Sequence, residues 1–192
     1  MKSDLSEEFY TKCIQYEFDV IFGINSELAV KESYWVLSNI LHDYQKAAFI
    51  LCNNIPFLDK TMTMYQNLVK INDIKEMAYF IQSLVSRCNI EDFIKLQDRG
   101  VVDITMKFSK EKLKNANSVI ILFELIETFL FIGESVKDNF MGKNLIKEKI
   151  DNYGLKELLE EYENTDNEKL LDIIEKINRD YYSNDENNEN MF

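Results

Sequence analysis

Apolar residues recur at intervals of three and four along most of the chain, and short polar breaks separate the apolar stretches. This spacing puts apolar side chains on one face of an α-helix, whereas a half-buried β-strand would need strict alternation. The chain has only five glycines and one proline, which is too few for the turns of an all-β fold. The pattern therefore predicts an all-α protein.

The longest periodic stretches predict four long helices, each with an apolar inner face. They cover residues 28–42, 74–87, 118–132 and 168–181. The fourth is expected to begin with a capping box at Thr165-Asp166-Asn167-Glu168. In such a box a hydroxyl and a carboxylate three residues apart each satisfy a free backbone N–H group.

Shorter helices are predicted between the long ones. Pro56 fits the first turn of a helix that runs to Val69, because a missing N–H group costs nothing there. Asn89 is expected to cap a short helix over residues 90–98, and a second short helix follows over residues 101–108. The predicted unit is therefore a short helix, a middle helix and a long helix.

Aligning the long helices places Trp35, Tyr79 and Glu124 in register, 44 and 45 residues apart. A period of roughly 40–47 residues with several helices per unit is typical of armadillo and HEAT repeats. No such unit buries its apolar face alone, so neighbouring units stack around a continuous core. The sequence thus predicts a right-handed, armadillo/HEAT-like superhelical solenoid of three-helix repeats.

This repeat domain is predicted to span residues 1–182, about three to four repeats. Met141 to Lys149 is interpreted as a linker before the last repeat. Residues 183–192 are rich in Asn and Glu, and we expect them to form a disordered tail.

The chain carries a net charge of −12, from 22 Lys and Arg against 34 Asp and Glu. This charge repels nucleic acid and anionic lipid and attracts basic partners, so we expect neither a nucleic acid nor a membrane partner. The most apolar run, Val119 to Gly133, is too short to cross a bilayer and contains Glu124 and Glu127. Met1 to Glu8 is polar and acidic, unlike a signal peptide. We expect a soluble intracellular protein.

Candidate catalytic and metal-binding chemistry is sparse. Cys13, Cys52 and Cys88 are odd in number and lack CxxC spacing, which argues against a disulfide framework or a zinc site and favours three buried thiols. His42 has no ligand pattern around it and is expected to end a helix. No phosphate-binding glycine loop or nucleophile elbow is present. The sequence predicts a protein-binding surface rather than an enzyme, with no cofactor.

Five colinear segments resemble the C-terminal armadillo repeats of importin alpha (karyopherin alpha), and the resemblance extends over about residues 12–182. The first contains a Trp followed four residues later by Asn, as in the third helix of that family's repeats. The segments are Lys31–Ile40, Lys75–Ser83, Asp98–Val102, Leu130–Glu134, and Tyr153–Leu155 with Glu163-Asn164 and Asp172–Glu175.

The resemblance implies that the chain corresponds to the last three to four repeats of importin alpha. These would include part of the minor signal-binding site. They would also include a C-terminal repeat, at residues 144–182, where an export receptor docks. The resemblance also implies basic nuclear localisation signals as partners and a location in the cytoplasm and nucleus. That family's importin-beta-binding segment and major-site repeats have no counterpart here.

The first candidate peptide-binding group consists of Trp35, Asn39 and Glu32. An indole face takes the stem and cation of a Lys or Arg, an Asn amide clamps peptide backbone, and a carboxylate pairs with the ligand's charge. The alternative interpretation is that Trp35 packs in the core and Asn39 is an exposed helix residue.

The next long helix offers a weaker group, Glu76, Tyr79 and Ser83, because Ser does not clamp backbone as Asn does. The position after that carries Glu124 and Thr128 and keeps neither function.

Two other functions stay open on the sequence alone: a generic armadillo interaction scaffold, and a non-catalytic regulatory subunit. The opening segment is also strongly apolar, and a solenoid needs a polar outer face at its ends. We therefore expect self-association through this segment, or its folding back over the end. Its apolar residues are Phe9, Tyr10, Ile14, Phe18, Val20, Ile21 and Phe22.

Overall fold

The computed structural model describes residues 6–24, 26–67, 71–109 and 116–183. These ranges contain eleven α-helices, one 3₁₀ helix and no strand, so the all-α prediction is confirmed. The helices are α1 (Glu7–Gly23), α2 (Glu27–Asp43), α3 (Ala47–Asn53), α4 (Ile55–Gln66), α5 (Ile71–Val85), α6 (Ile90–Gln97), α7 (Val101–Ser109), α8 (Ala116–Val136), the 3₁₀ helix (Lys137–Phe140), α9 (Leu145–Asn152), α10 (Leu155–Tyr162) and α11 (Glu168–Tyr181).

The four predicted long helices are α2, α5, α8 and α11. The first three begin 44 and 45 residues apart, as the sequence spacing predicts. Trp35, Tyr79 and Glu124 are each the ninth residue of their helix. α11 begins 52 residues after α8, because α8 is longer and the 3₁₀ helix follows it.

The helix starts follow local side-chain chemistry. Pro56 lies in the first turn of α4 and Asn89 caps α6 through Asp92 N, both as predicted. Asn54, which was not predicted, caps α4 by accepting from Phe57 N. The predicted bounds of α11, 168–181, are confirmed, but the predicted cap was wrong: Asn167, not Thr165, caps the helix and accepts a hydrogen bond from Leu170 N.

Two further boundaries differ from the predictions. The expected linker 141–149 is helical from Leu145 onward, because Asn144 caps α9 and accepts from Lys147 N. α4 ends at Gln66, and Val69 lies outside the described residues. Of the predicted tail, Ser183 lies in a turn, and residues 184–192 lie outside the described part of the chain.

The chain divides into two compact units, Met1–Val101 and Val102–Phe192. In the first unit α2 packs against α1 and α5, and α3 packs against α6. Tyr34, Phe57 and Phe80 form the centre of its core, with ring centroids 5.0–6.2 Å apart. The hydroxyl of Tyr34 lies 3.0 Å from that of Thr61, which satisfies both groups in the interior.

In the second unit the apolar helix α8 packs against α9 and α11. Its inner face includes Ile126, Phe129 and Leu130, all fully buried. Asp103 of α7 accepts hydrogen bonds from Lys149 Nζ at 2.6 Å and Tyr153 Oη at 2.9 Å.

Throughout the ranges that the structure describes, we find no helix long and apolar enough to cross a membrane.

Candidate functional site

A groove of about 590 Å³ lies between α1 and α2 in the first unit, and we call it the α1–α2 groove. Aromatic and aliphatic side chains make most of its walls. α1 contributes Phe9, Tyr10, Lys12, Cys13, Tyr16 and Glu17, and α2 contributes Trp35, Val36, Asn39, Ile40 and Asp43.

Helical spacing explains the α1 wall. Ser6 caps α1 by accepting a hydrogen bond from Phe9 N at 3.3 Å. From there Phe9, Cys13 and Tyr16 follow at spacings of four and three, so they share one face and line the groove. The opposite face carries the core residues Ile14, Phe18 and Ile21.

Trp35 and Asn39 form the α2 wall and lie four residues apart on one helix face. Trp35 is 55% exposed, so the interpretation of Trp35 as a core residue is wrong. Tyr16, across the groove, is 65% exposed. Exposed aromatic side chains on both walls provide flat surfaces for the stem of a long side chain.

Two carboxylates line the groove, Glu17 of α1 and Asp43 of α2. Glu17 lines the groove, yet the residue is only 8% exposed. Among the described residues none hydrogen-bonds to Glu17 or forms an ion pair with it. A cation of a ligand that enters the groove would pair with this carboxylate.

Lys12 and Asp43 also line the groove, and each contacts a neighbouring polar side chain. Lys12 Nζ lies 2.6 Å from Glu8 Oε1, and His42 Nδ1 lies 3.1 Å from Asp43 Oδ1. The groove therefore offers a negative charge to a ligand and holds its own cation in an ion pair.

Glu32 is exposed one turn before Trp35, but it is not among the groove residues. The carboxylates that line the groove are Glu17 of α1 and Asp43 of α2, and the sequence analysis missed both. For Glu17 the signal was a charge among apolar positions, because it lies between the buried Ile14 and Phe18 and is itself buried.

The second predicted group is separate from the groove. Glu76 and Ser83 are half-buried on α5, and Tyr79 is partly exposed. No described residue of α5 lines the α1–α2 groove. The structure thus brings Trp35 and Asn39 together and leaves the α5 group apart.

The third position in the predicted register is Glu124, with Thr128 one turn later, and both side chains make contacts within the second unit. Glu124 Oε1 lies 2.7 Å from Lys169 Nζ of α11, and Thr128 Oγ1 donates to the backbone oxygen of Glu124 at 2.8 Å. Glu124 therefore holds α11 on α8.

The prediction of three buried thiols was wrong in part. Cys52 is fully buried, but Cys13 and Cys88 are half-buried, because Cys13 lines the groove and Cys88 lies in the turn before α6. Within the described ranges no group of three or more His, Cys, Asp and Glu side chains is placed to hold a metal ion.

No protein-family model matches this sequence, and no curated protein is significantly similar to it. The resemblance to importin alpha therefore stays a prediction.

Proposed function

We propose that this chain is a non-catalytic, importin-alpha-like adaptor, which binds basic nuclear localisation signals in its first unit and a transport receptor at its C-terminal repeat. The observation that carries the proposal is one groove that contains an exposed Trp35, Asn39 on the same helix face, and Glu17, which has no hydrogen bond or ion pair with any residue that the structure describes.

The helix order supports an armadillo-like arrangement of repeats. Two shorter helices followed by a long one occur three times: α3–α5, α6–α8 and α9–α11. Within the first unit long helix packs on long helix (α2 on α5) and first helix on first helix (α3 on α6). Within the second unit the long helices α8 and α11 pack together. Contact between equivalent helices is how stacked repeats bury their apolar faces.

The groove suits a Lys or Arg side chain of an extended peptide. The aliphatic stem would lie along the indole of Trp35, and the cation would reach the carboxylate of Glu17. A cation over an indole face contributes about 0.5–2 kcal/mol, more as water is excluded. The Asn39 amide has both a donor and an acceptor for the peptide backbone.

The proposed receptor site is the repeat formed by α9–α11. Its acidic residues Glu157, Glu160, Glu161, Asp172 and Glu175 are all exposed. An acidic surface of this kind favours association with a basic protein surface. By its resemblance to importin alpha, we propose an export receptor with its small GTPase as the partner.

The test is a titration of the full chain with a labelled peptide rich in Lys and Arg, with an Ala-substituted peptide as the ligand control. Glu17→Gln keeps the side-chain size and removes the charge. It should weaken peptide binding at least ten-fold, because a buried charge pair is lost. The midpoint of thermal unfolding should change little, because no described residue pairs with the Glu17 carboxylate.

Glu32→Gln is the matched control, since it makes the same change one turn from Trp35 but outside the groove. We expect it to change affinity less than three-fold, as for an exposed charge. Equal affinity of wild type and Glu17→Gln for the basic peptide would contradict the proposed site.

Self-association through α1 is the competing use of the same surface. If a second copy covers the groove, light scattering should show a concentration-dependent dimer that a basic peptide does not dissociate. That result would favour an interaction scaffold over a signal-binding adaptor.

A further inference from the structure

Cys52 and Cys88 are 36 positions apart in sequence, but their sulfur atoms lie 3.5 Å from each other. Cys52 is in the last turn of α3 and is fully buried. Cys88 lies directly before Asn89, the cap of α6, and is half-buried. The two thiols therefore meet where the first helices of two consecutive predicted repeats pack together.

Neighbouring contacts hold this junction in place. Lys95 of α6 donates to Asn53 Oδ1 at 2.9 Å and to Asp92 Oδ1 at 2.7 Å. Asn53 is the residue after Cys52, and Asp92 lies one turn into α6. Lys95 thus links α6 to the residue next to Cys52.

We propose that Cys52 and Cys88 are an oxidation site, at which a peroxide converts the two thiols into an intrachain disulfide. The thiolate of the more accessible Cys88 attacks one peroxide oxygen, the O–O bond breaks, and a sulfenic acid and water form. The sulfur of Cys52 then attacks the sulfenic sulfur and displaces its hydroxyl group, which leaves as a second water with the Cys52 proton. Two hydrogens and two electrons pass from the thiols to the peroxide.

The surroundings make this reaction slow, which keeps the pair reduced under ordinary conditions. The hydrogen bond with the Cys52 thiol and burial both raise the pKa of the Cys88 thiol above its usual value. Little thiolate is therefore present at neutral pH, and the thiolate is the reactive form. The disulfide should form under sustained peroxide exposure and be reversed by a dithiol.

The expected consequence is a covalent tie between α3 and the start of α6. A disulfide that closes a loop of this length restricts the unfolded chain, so the midpoint of thermal unfolding should rise by several degrees on oxidation. An S–S bond is about 2.0 Å long, so the sulfurs must come closer than their present 3.5 Å for the bond to form.

The experiment treats the folded full chain with hydrogen peroxide, alkylates the remaining thiols and maps tryptic peptides by mass spectrometry. We expect the alkylatable thiols to fall from three to one, with peptide 47–60 linked to peptide 88–95 and Cys13 in its own free peptide 13–31. Dithiothreitol should restore all three thiols and the original unfolding midpoint.

Two controls test whether the disulfide forms because Cys52 and Cys88 lie close together in the folded chain or because any two thiols of the chain react. The same treatment in concentrated urea should give a mixture of all three pairings. Cys13→Ser should leave the linked peptides unchanged, whereas Cys88→Ser should remove them. Sulfinic acid at Cys88 with a free Cys52, or crosslinks through Cys13 in the folded chain, would overturn the proposal.

Discussion

Tyr34 and Trp35 are neighbours in sequence but lie on different faces of α2: Tyr34 is 2% exposed and Trp35 is 55% exposed. Tyr34 packs against Phe80 of α5 with ring centroids 5.0 Å apart, whereas Trp35 lines the α1–α2 groove. One turn of helix thus supplies both the core of the first unit and its candidate binding surface. Substitutions at the two positions should separate stability from binding.

Trp35→Ala should weaken binding of a basic peptide by about 1–3 kcal/mol, from five-fold to more than a hundred-fold. The reason is loss of the indole surface on which the Lys or Arg stem lies. The free energy of unfolding should change by no more than about 0.5 kcal/mol, because the side chain is mostly exposed. Fluorescence anisotropy of a labelled peptide measures the first quantity, and urea denaturation measures the second.

Phe131→Ala is the matched control, since it removes an exposed aromatic residue from the second unit. It should leave peptide affinity unchanged. If folded Trp35→Ala binds the peptide as tightly as the wild type does, Trp35 is not part of the site.

Tyr34→Phe should show the opposite profile, with reduced stability and unchanged peptide affinity. It removes one partner of the Tyr34–Thr61 hydrogen bond and leaves the buried Thr61 hydroxyl without that partner, a cost of about 1–3 kcal/mol. Replacing both groups, in Tyr34→Phe with Thr61→Val, should cost less than the sum of the two single changes. Additive costs would mean that the two hydroxyls do not interact.

The same tyrosine predicts a pH dependence. Burial raises the pKa of Tyr34 from 10.0 to about 12, although the hydrogen bond with Thr61 lowers it. The folded chain then keeps a proton that the unfolded chain releases, so the stabilisation is complete below pH 10 and is lost as the pH rises toward 12. Urea denaturation up to about pH 11 should show a shallower loss of stability for Tyr34→Phe than for the wild type.

The helical architecture could be predicted because each helix carries its own signals. Pro56 fits the first turn of α4, where no N–H group is needed, and Asn89 caps α6 with its side chain. The period of the long helices follows from apolar spacing alone. The placement of Thr165 failed because Asn167 is a better cap two residues later in the same polar run.

The candidate site was predictable only on its α2 wall. Trp35 and Asn39 share one helix, so their proximity follows from sequence spacing. Glu17 comes from another helix, and its position depends on how α1 packs against α2. The same limit applies to Cys52 and Cys88, whose contact arises from the packing of α3 against α6.

Gly133→Ala should destabilise the second unit by about 1–3 kcal/mol, although Gly→Ala inside a helix is ordinarily stabilising. A Cβ atom at Gly133 would collide with Asn144 Oδ1, and it would lie 2.8 Å from Asn144 Cγ and 2.9 Å from Ile146 Cβ. Asn144 would have to move, and it is the cap of α9. Thermal unfolding measures the effect.

Gly23→Ala is the matched control, because nothing lies within 4 Å of a Cβ atom there. It should be neutral or slightly stabilising. A stabilising Gly133→Ala would show that α9 does not pack closely on α8 in solution.

The double change Tyr79→Trp with Ser83→Asn should tighten binding of a long basic peptide about two- to five-fold. It restores on α5 the Trp and Asn pair that α2 carries, at the equivalent ninth and thirteenth helix positions. A short peptide that fills only the α1–α2 groove should show no gain. Titration of both peptides against wild type and double variant measures the difference. If the double variant binds neither peptide more tightly than the wild type does, the ligand contacts only the α1–α2 groove.

Asp172→Lys with Glu175→Lys should abolish association with the export receptor and its GTPase while leaving the basic peptide bound. Both residues are exposed on α11. The ion pairs of α11 with Glu124 and Glu127 of α8 involve Lys169 and Lys176, so the substitutions leave them intact.

This pair is a sharper test than deletion of residues 144–192. Deletion would remove α9–α11 and bare the buried face of α8, so lost binding would not be distinguishable from unfolding.

Asp98→Lys with Asp138→Lys makes the same charge change at exposed positions outside the C-terminal repeat and should leave receptor binding unchanged. If both double variants weaken the receptor equally, the attraction comes from net charge alone, and α11 is not the docking surface. Raising the salt concentration should weaken wild-type association in either case, because exposed charges are screened within about 10 Å at 0.1 M salt. The matched pair, rather than the salt series, therefore decides whether α11 carries the contact.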